Sequence, residues 1–202
     1  MSRFIETIKL LNGNYEHLDL HLQRIQDTCM SFFGKPRDMK SLINSLQSKT
    51  ADDTIYKVTV HYDFDTYHVE NVPYQKRSIR NLVLIEDNEI DYSLKYADRA
   101  VLEMHQKLSG ANNECIILKN NRITDTSFSN IAFWNGAHWH TPLHPLLKGI
   151  KRKKLLAEKK IFEKDILASD LSAYTKVSLI NSMLEPQDLV IDIGRIIFLS
   201  DL

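Results

Sequence analysis

The chain has 202 residues, of which 43% are hydrophobic and 26% charged, a composition ordinary for one large globular domain or two small ones. Its 26 basic side chains balance its 26 acidic ones, so no net field favours nucleic acid or an acidic membrane as a partner. The N-terminal residues lack the apolar core of a signal peptide, and no apolar run is long enough to span a bilayer, so we expect a cytoplasmic protein.

Hydrophobic periodicity predicts mixed α and β structure in the first half of the chain. Alternation of apolar and polar residues predicts strands over residues 4–11, 15–18, 54–61 and 78–85. Helical spacing of apolar residues predicts helices over residues 19–33 and 37–47. Asn12-Gly13 is a hairpin turn signal, and the polar, aromatic stretch 62–75 is predicted to be an irregular loop.

A lobe boundary is predicted near residues 86–92, where charge rises and the apolar pattern stops. It divides the chain into a small α/β lobe, residues 1–88, and a larger lobe, residues 89–202. Helices are predicted in the larger lobe over residues 94–108 and 147–159, and strands over 114–118, 122–124, 161–166, 177–183 and 189–199. The predicted class is α+β in two lobes.

The stretch RITDTSFSNIAFWNGAHWHTPL, residues 122–143, combines an apolar hairpin with a dense polar cluster. Apolar and aromatic residues stand on both sides of the turn signal Asn135-Gly136. The cluster before them consists of Thr124, Asp125, Thr126, Ser127, Ser129 and Asn130. Turn formation accounts for the hydroxyl and amide side chains about as well as a binding role does. The carboxylate of Asp125 raises the question of what it contacts.

Three other groups of residues carry weaker functional signals. His138 and His140 lie on the same side of a strand, with His144 nearby, but their spacing fixes no third metal ligand, so we expect no metal. The basic run KGIKRKK has no interleaved aromatic residues, which favours a solvated helix face over nucleic-acid binding. Cys29 and Cys115 stand in apolar patterns and are predicted to be free, buried thiols.

Lys95 stands in SLKYADR, at the start of the helix predicted after the lobe boundary. A lone lysine in such a place is usually solvated. A lysine whose pKa is lowered by its surroundings can instead form a Schiff base with a carbonyl group. By itself the residue does not decide between these roles.

Five segments together resemble the class IV (fold type IV) pyridoxal-phosphate enzymes, which include branched-chain aminotransferases, D-amino acid aminotransferases and aminodeoxychorismate lyases. The segments are FIETIKLLNGNYEHLDLHLQRI, SLKYADR, ITDTSFSNIAFW, TPLHPLLKGIKRKKLL and KVSLINSMLE. They follow the order of the family and extend through most of the chain. The resemblance implies the two-lobed fold type IV fold, with pyridoxal 5'-phosphate as cofactor and the family's leading strand absent.

The resemblance also implies roles for individual residues. Lys95 would bind the cofactor covalently and act as acid and base, and Asp125 would face the pyridine nitrogen and keep it protonated. Arg24 and Ser182 would contact the phosphate, and Leu147 would pack on the ring. The remaining implied cofactor contacts are Ser127, Met183 and the backbone of Gly149, Ile150 and Lys151.

Two departures from the family pattern bear on the site. Asp125 is one methylene shorter than the glutamate that the family usually has there. The family's arginine segment is VHYDFDTY in this chain, so His61 stands where an arginine often meets the substrate carboxylate. The substrate contacts implied by the resemblance are therefore His61, Tyr62 and Arg99.

The lysine segment SLKYADR, with Arg99 four residues after Lys95, is closest to the lyase members of the family. This favours conversion of 4-amino-4-deoxychorismate to 4-aminobenzoate and pyruvate, a step of folate biosynthesis. An amino-acid aminotransferase, or a shortened relative that binds the cofactor or a partner without turnover, remain alternatives. For both the lyase and the aminotransferase, the resemblance implies a small-molecule amino substrate and a homodimer. Residues 63–75 are then the candidate for the loop that completes the site of the neighbouring subunit.

Overall fold

The computed structural model describes residues 3–46 and 53–199, which form two compact units. The first unit comprises Met1–Lys76 with Leu94–Asp98, and the second comprises Arg77–Ser93 with Arg99–Leu202. The chain therefore leaves the first unit at residue 76 and not at the expected residue 88. The reason is that the strand expected at 78–85 is hydrogen-bonded into a sheet of the second unit.

The first unit is an antiparallel sheet with two helices. Its strands are β1 (Phe4–Leu11), β2 (Asn14–Tyr15), β3 (Tyr56–Tyr62) and β4 (Tyr67–Pro73), in the order β2-β1-β3-β4. Its helices are α1 (Leu18–Phe33) and α2 (Lys40–Ser45). The β1–β2 turn at Asn12-Gly13 is confirmed, with both residues at positive φ, and α1 ends as expected at Gly34, whose φ is 73°.

The irregular loop expected over residues 62–75 is wrong. Within it β4 pairs with β3 in unbroken register, from Tyr62 opposite Tyr67 to Tyr56 opposite Pro73. Asp63 makes the tight turn between the strands, because its Oδ1 accepts hydrogen bonds from the backbone N–H groups of Asp65 (3.0 Å) and Thr66 (2.9 Å). β4 is an edge strand in which only Tyr67 and Val69 turn toward the core, so its apolar alternation is too short to predict a strand.

The helix expected from Leu94 is also wrong in its first six residues, since α3 spans Ala100–Leu108. The preceding segment runs alongside the start of β1: the Ile5 N–H donates to the Lys95 carbonyl (3.0 Å), and Tyr96 forms a bridge with Phe4. β2 covers only the far end of β1, so this segment satisfies backbone groups of β1 that β2 leaves uncovered.

The second unit contains two sheets. One holds β5 (Asn81–Glu86), β6 (Asn113–Lys119), β7 (Arg122–Thr126) and β13 (Ile196–Phe198), in the order β13-β5-β6-β7. The other holds β8 (Asn130–Trp134), β9 (Trp139–Pro142), β10 (Phe162–Lys164), β11 (Lys176–Ile180) and β12 (Val190–Asp192), in the order β10-β9-β8-β11-β12. α3 connects the parallel strands β5 and β6, and α4 (Ile150–Ala157) follows β9. Among the described residues no helix is both long and apolar enough to cross a membrane.

The apolar hairpin at Asn135-Gly136 is confirmed as β8 and β9, with Trp134 and Trp139 paired across it. The polar cluster before it has a different position from the one expected. β7 and β8 belong to different sheets, so the three residues between them carry the chain from one sheet to the other. Asp125 lies on the last part of β7 and Asn130 at the start of β8, one on each side of this crossing.

Candidate active site

Three hydrogen bonds join Asp125, Asn130 and Leu147 of the second unit in a closed set, and two of them hold the Asp125 carboxylate. Its Oδ1 accepts from Nδ2 of Asn130 (2.8 Å), and its Oδ2 accepts from the backbone N–H of Leu147 (2.9 Å). The same Asn130 Nδ2 also donates to the Leu147 carbonyl (2.8 Å). The carboxylate on β7, the amide on β8 and the backbone of Leu147 before α4 are therefore hydrogen-bonded to one another. We call Asp125, Asn130 and Leu147 the Asp125 cluster.

Burial controls the charge of this carboxyl group. Asp125 is 5% exposed, and the loss of hydration raises its pKa from 3.8 to about 6. The hydrogen bonds from Leu147 and Asn130, together with the positive charge of Arg152, act in the opposite direction. At neutral pH the group is therefore mainly ionised, but a cation beside it would be strongly favoured.

Gly149 precedes α4 and lies against the Asn130 side chain. A Cβ atom at Gly149 would lie 2.0 Å from Oδ1 of Asn130, and the other atoms near it belong to the same side chain. Gly149 is also the N-cap of α4, where no side chain accepts from the first N–H groups of the helix. Such an N-terminus has the polarity that binds phosphate, and the phosphate contact of Gly149, Ile150 and Lys151 stays a prediction.

The rest of the polar cluster fixes the crossing between β7 and β8. The Thr126 and Ser129 hydroxyls lie 2.8 Å apart, and Oγ1 of Thr126 also accepts from the Ser129 N–H (3.0 Å). The backbone of Ser127 is held on two sides. Its N–H donates to Oε1 of the buried Glu114 (3.1 Å), and its carbonyl accepts from Nη2 of Arg99 (2.6 Å).

Arg99 was expected to contact substrate. In the structure its Nη2 binds the Ser127 carbonyl and its Nη1 lies 3.3 Å from the Tyr92 hydroxyl. The guanidinium therefore helps to hold residues 127–129, which connect β7 to β8 and begin two residues after Asp125.

Residues expected near the phosphate carry other contacts as well. The Lys151 side chain is 3% exposed and forms an ion pair with Glu185. The Met183 N–H donates to Oδ1 of Asn181 (2.8 Å), at the turn that also contains the half-buried Ser182. The basic run is thus not a solvated face throughout, since Arg152 is also buried and donates to the Pro142 carbonyl (2.7 Å).

Arg24, in the first unit, is bound to the buried carboxylate of Glu6, a contact that the sequence analysis does not predict. Glu6 on β1 is fully buried, and its two oxygens accept from Nε (2.6 Å) and Nη2 (2.7 Å) of Arg24. Nδ1 of His21 lies 2.7 Å from Oε2 of the same carboxylate. Burial alone would raise the pKa of Glu6, but the charge and hydrogen bonds of Arg24 and His21 lower it to about 2.

This pair restricts how Arg24 can act. Its Nε–Nη2 edge faces Glu6, so a phosphate would be met by the other edge of the planar guanidinium. Glu6 therefore fixes the orientation of Arg24 on α1.

Lys95, His61 and Tyr62 also lie in the first unit, in different surroundings. The backbone of Lys95 is fixed by β1, and its side chain is half-buried. His61 is half-exposed on β3, with Nε2 3.8 Å from Oε2 of Glu70. Tyr62 is 1% exposed and packs against Phe4, so its side chain fills the core of this unit.

The remaining sequence candidates occupy packing positions. Cys29 and Cys115 are buried free thiols. His138 packs edge-on against Phe162, and His140 against Tyr174. Within residues 3–46 and 53–199, no group of three or more His, Cys, Asp or Glu side chains could hold a metal ion.

A cavity of about 390 Å³ lies in the second unit beside the Asp125 cluster. Thr124 and Leu146, the chain neighbours of Asp125 and Leu147, are among the residues that line it. Its charged lining residues include Lys119, whose Nζ donates to the Ile90 carbonyl (2.7 Å).

The sequence of this chain matches a known protein family. The sequence model of the family described as amino-transferase class IV matches residues 3–187. An uncharacterized protein of Haemophilus influenzae is 31% identical over 185 residues, which cover 91% of this chain and 98% of that relative. The chain belongs to the class IV aminotransferase family, whose members depend on pyridoxal phosphate.

Solved structures agree with this assignment. A candidate 4-amino-4-deoxychorismate lyase from Haemophilus somnus is 30% identical, with a TM-score of 0.83 over 91% of this chain and 97% of that chain. A hypothetical aminotransferase from Mycobacterium tuberculosis, in a PLP-bound form, is 14% identical, with a TM-score of 0.76 over 96% of this chain and 81% of that chain. The second likeness concerns the fold alone, and together they confirm the predicted fold type IV.

Proposed function

We propose that the protein is a pyridoxal-phosphate-dependent lyase that converts 4-amino-4-deoxychorismate to 4-aminobenzoate and pyruvate. The observation that carries the proposal is the buried carboxylate of Asp125, fixed by Asn130 and Leu147 where the resemblance places the acid partner of the cofactor. Membership of the family and the 30% identity to the Haemophilus somnus candidate lyase support it.

Each of the two units carries residues of the kinds that bind this cofactor. Asp125 offers a buried anion to the ring nitrogen, and a charge-assisted hydrogen bond of this kind contributes about 1.5–3 kcal/mol. The N-terminus of α4 at Gly149 and the guanidinium of Arg24 offer the two kinds of group that bind phosphate. Lys95 supplies the amine that would hold the cofactor covalently.

Bound pyridoxal phosphate supplies an electron sink for the electron pair left when a carbon bearing an amino group loses a proton. Asp125 contributes the negative charge that favours a protonated ring nitrogen in that sink. Since its pKa is about 6, the carboxyl group is already mainly ionised at neutral pH before a cation approaches.

Lys95 moves the proton in this proposal. Its Nζ takes the proton from the ring carbon that bears the amino group of the substrate. The bond between the ring and the oxygen of the three-carbon side chain then breaks, and the ring becomes aromatic. Lys95 returns the proton to the departing side chain, which leaves as pyruvate, so no water or redox partner is consumed.

Amino-acid transamination is the second candidate, because the matching family is described as amino-transferase class IV. It needs the same lysine and the same carboxylate, because both reactions begin with removal of a proton from the same kind of carbon. The lyase is preferred because Arg99 follows Lys95 at the spacing of the lyase members.

The product of the reaction tests the proposal. Protein loaded with pyridoxal phosphate is incubated with chorismate, glutamine and an aminating partner enzyme, and 4-aminobenzoate and pyruvate are quantified. We expect both products in equal amounts, no activity from Lys95→Ala, and full activity from Lys107→Ala, whose lysine is exposed on α3. A parallel incubation with amino acids and 2-oxoglutarate detects transamination. Keto acid without 4-aminobenzoate would replace the lyase by an aminotransferase.

We further propose that the protein acts as a homodimer, because members of the family complete their sites with a loop from the neighbouring subunit. The expected loop, residues 63–75, contains the edge strand β4, whose Val72 is exposed. The molar mass measured by light scattering is expected to be twice the chain mass of 23.5 kDa. A monomer that is fully active would contradict this part of the proposal.

A further inference from the structure

We infer that Asn130 is the positioning residue of this site: its amide holds the Asp125 carboxylate in register with the segment that leads into α4, and Gly149 is a glycine so that Asn130 can do so. The catalytic part of this inference rests on the proposed function. The geometric part does not, because it concerns contacts within the second unit only.

The first argument is the hydrogen-bond pattern of the Asn130 amide. One nitrogen donates both to Oδ1 of Asp125 (2.8 Å) and to the Leu147 carbonyl (2.8 Å). The two targets lie on different segments of the chain, so loss of the donor releases both at once. The backbone of Leu147, whose N–H lies 2.9 Å from Oδ2, and the backbone of Leu146 would then be left to hold the carboxylate.

The second argument is the space at Gly149. A Cβ atom there would approach Oδ1, Cγ and Nδ2 of Asn130 to 2.0, 3.2 and 3.8 Å, and those are the atoms nearest to it. The backbone does not itself require a glycine, because φ is −66° and ψ is 148°, a conformation open to every L-residue. The absence of a side chain at Gly149 therefore leaves room for the Asn130 amide and is not required by the backbone conformation.

The third argument is the chemistry of the carboxylate. Asp125 is shorter than a glutamate, so its position depends on whatever fixes its backbone and its two oxygens. Asn130 and Leu147 each donate a hydrogen bond to one oxygen of Asp125, which orients the carboxylate and favours its ionised form. The charged side chain acting on Asp125 is Arg152 on α4, whose Nη2 donates to the Pro142 carbonyl and to Glu163 and not to Asn130.

The arrangement also joins the two ends of the proposed cofactor site. Leu147, which the resemblance places against the ring, exchanges hydrogen bonds with Asp125 and Asn130. Gly149, the N-cap at the proposed phosphate contact, lies against Asn130. Asn130 therefore sets the distance between the ring-nitrogen partner and the helix N-terminus.

A double-mutant cycle on the cofactor-free protein tests the geometric part. Gly149→Ala is expected to lower the melting temperature of the wild type by about 4 °C or more, because the new methyl group must displace Asn130. The same change in Asn130→Ala is expected to have an effect below about 1 °C, because the obstructing amide has gone. Gly194→Ala, in a turn away from Asn130, serves as the glycine control and should have the same effect in both backgrounds. Equal effects of Gly149→Ala in both backgrounds would overturn the inference.

Titration of Asp125 by ¹³C NMR in the same cofactor-free variants tests the positioning role. Asn130→Ala is expected to move the midpoint upward by about one pH unit, because a hydrogen bond to the charged form is lost. Asn130→Asp keeps the volume but not the donor and should move it at least as far. Asn135→Ala, an exposed turn asparagine, should leave it unchanged. An unchanged midpoint in Asn130→Ala would reduce Asn130 to a packing role, whereas failure of the lyase assay alone would leave these two results standing.

Discussion

The buried carboxyl of Asp125 gives the cofactor-free protein an unusual dependence of stability on pH. The pKa of Asp125 is about 6 in the folded protein and 3.8 in an ordinary aspartate. Between these values the folded state binds more protons than the unfolded state does. The contribution of Asp125 to stability is therefore fully present below pH 3.8 and is lost as the pH rises through 6.

The size of this effect follows from the difference in pKa. About two pKa units correspond to about 3 kcal/mol of unfolding free energy between pH 4 and pH 7, and burial leaves little solvent to screen it. For a chain of this length such a change corresponds to about 6–12 °C in melting temperature. The side chain in Asp125→Asn carries no charge, so its burial does not depend on pH. Its amide can accept a hydrogen bond from only one of the two donors, Asn130 and Leu147, which costs about 1–3 kcal/mol of stability.

The assay compares thermal unfolding of the cofactor-free wild type and Asp125→Asn at several values between pH 4 and pH 7.5. Taking the difference between the two proteins removes every other titrating group, including Glu6. We expect the wild type to lose stability relative to the variant as the pH rises, by the amount given above. If the melting temperatures of the two proteins instead change in parallel with pH, burial does not raise the pKa of Asp125 and the explanation is wrong.

Three further outcomes follow from the structure. Arg24→Leu should lower the unfolding free energy by about 3–5 kcal/mol, because Glu6 then stays buried without its main partner. In urea unfolding the double variant Arg24→Leu/Glu6→Leu should recover more than half of this loss. Equal losses in the single and the double variant would contradict a buried ion pair. Arg99→Ala should lower stability by about 1.5–3 kcal/mol through loss of the bond to the Ser127 carbonyl, and an unchanged melting temperature would restrict Arg99 to substrate contact. Burial raises the pKa of both thiols, so Cys29 and Cys115 should react with a thiol reagent only after unfolding, and rapid labelling of the native protein would show the burial to be wrong.

The sequence predicted those elements whose side chains alternate between core and solvent. The β1–β2 turn and the hairpin of β8 and β9 were both found from this pattern and from their Asn-Gly turns. The sequence does not predict β4, because only Tyr67 and Val69 face the core and the rest of the strand is exposed and paired with β3 through its backbone. The apolar residues around Lys95 fit helical spacing, whereas the uncovered end of β1 binds this segment through backbone hydrogen bonds and an isolated bridge between Phe4 and Tyr96.

The resemblance predicts the roles of Asp125 and Gly149, whereas the contact between Asn130 and Gly149 has no signal in the sequence. The pairing of Asn130 with Gly149 depends on two segments that meet only in the folded chain. The binding of Arg24 by Glu6 had a signal in the sequence. A carboxylate inside an apolar strand requires buried partners, and His21 and Arg24, three residues apart, share one face of α1.

The covalent attachment of the cofactor tests the central claim most directly. Protein loaded with pyridoxal phosphate is reduced with borohydride and digested, and the labelled peptide is identified by mass spectrometry. The account predicts a single label on Lys95, carried by the peptide that contains SLKYADR, and no label in Lys95→Ala. A label on another lysine, such as Lys57 or Lys148, or no label at saturating cofactor, would contradict it.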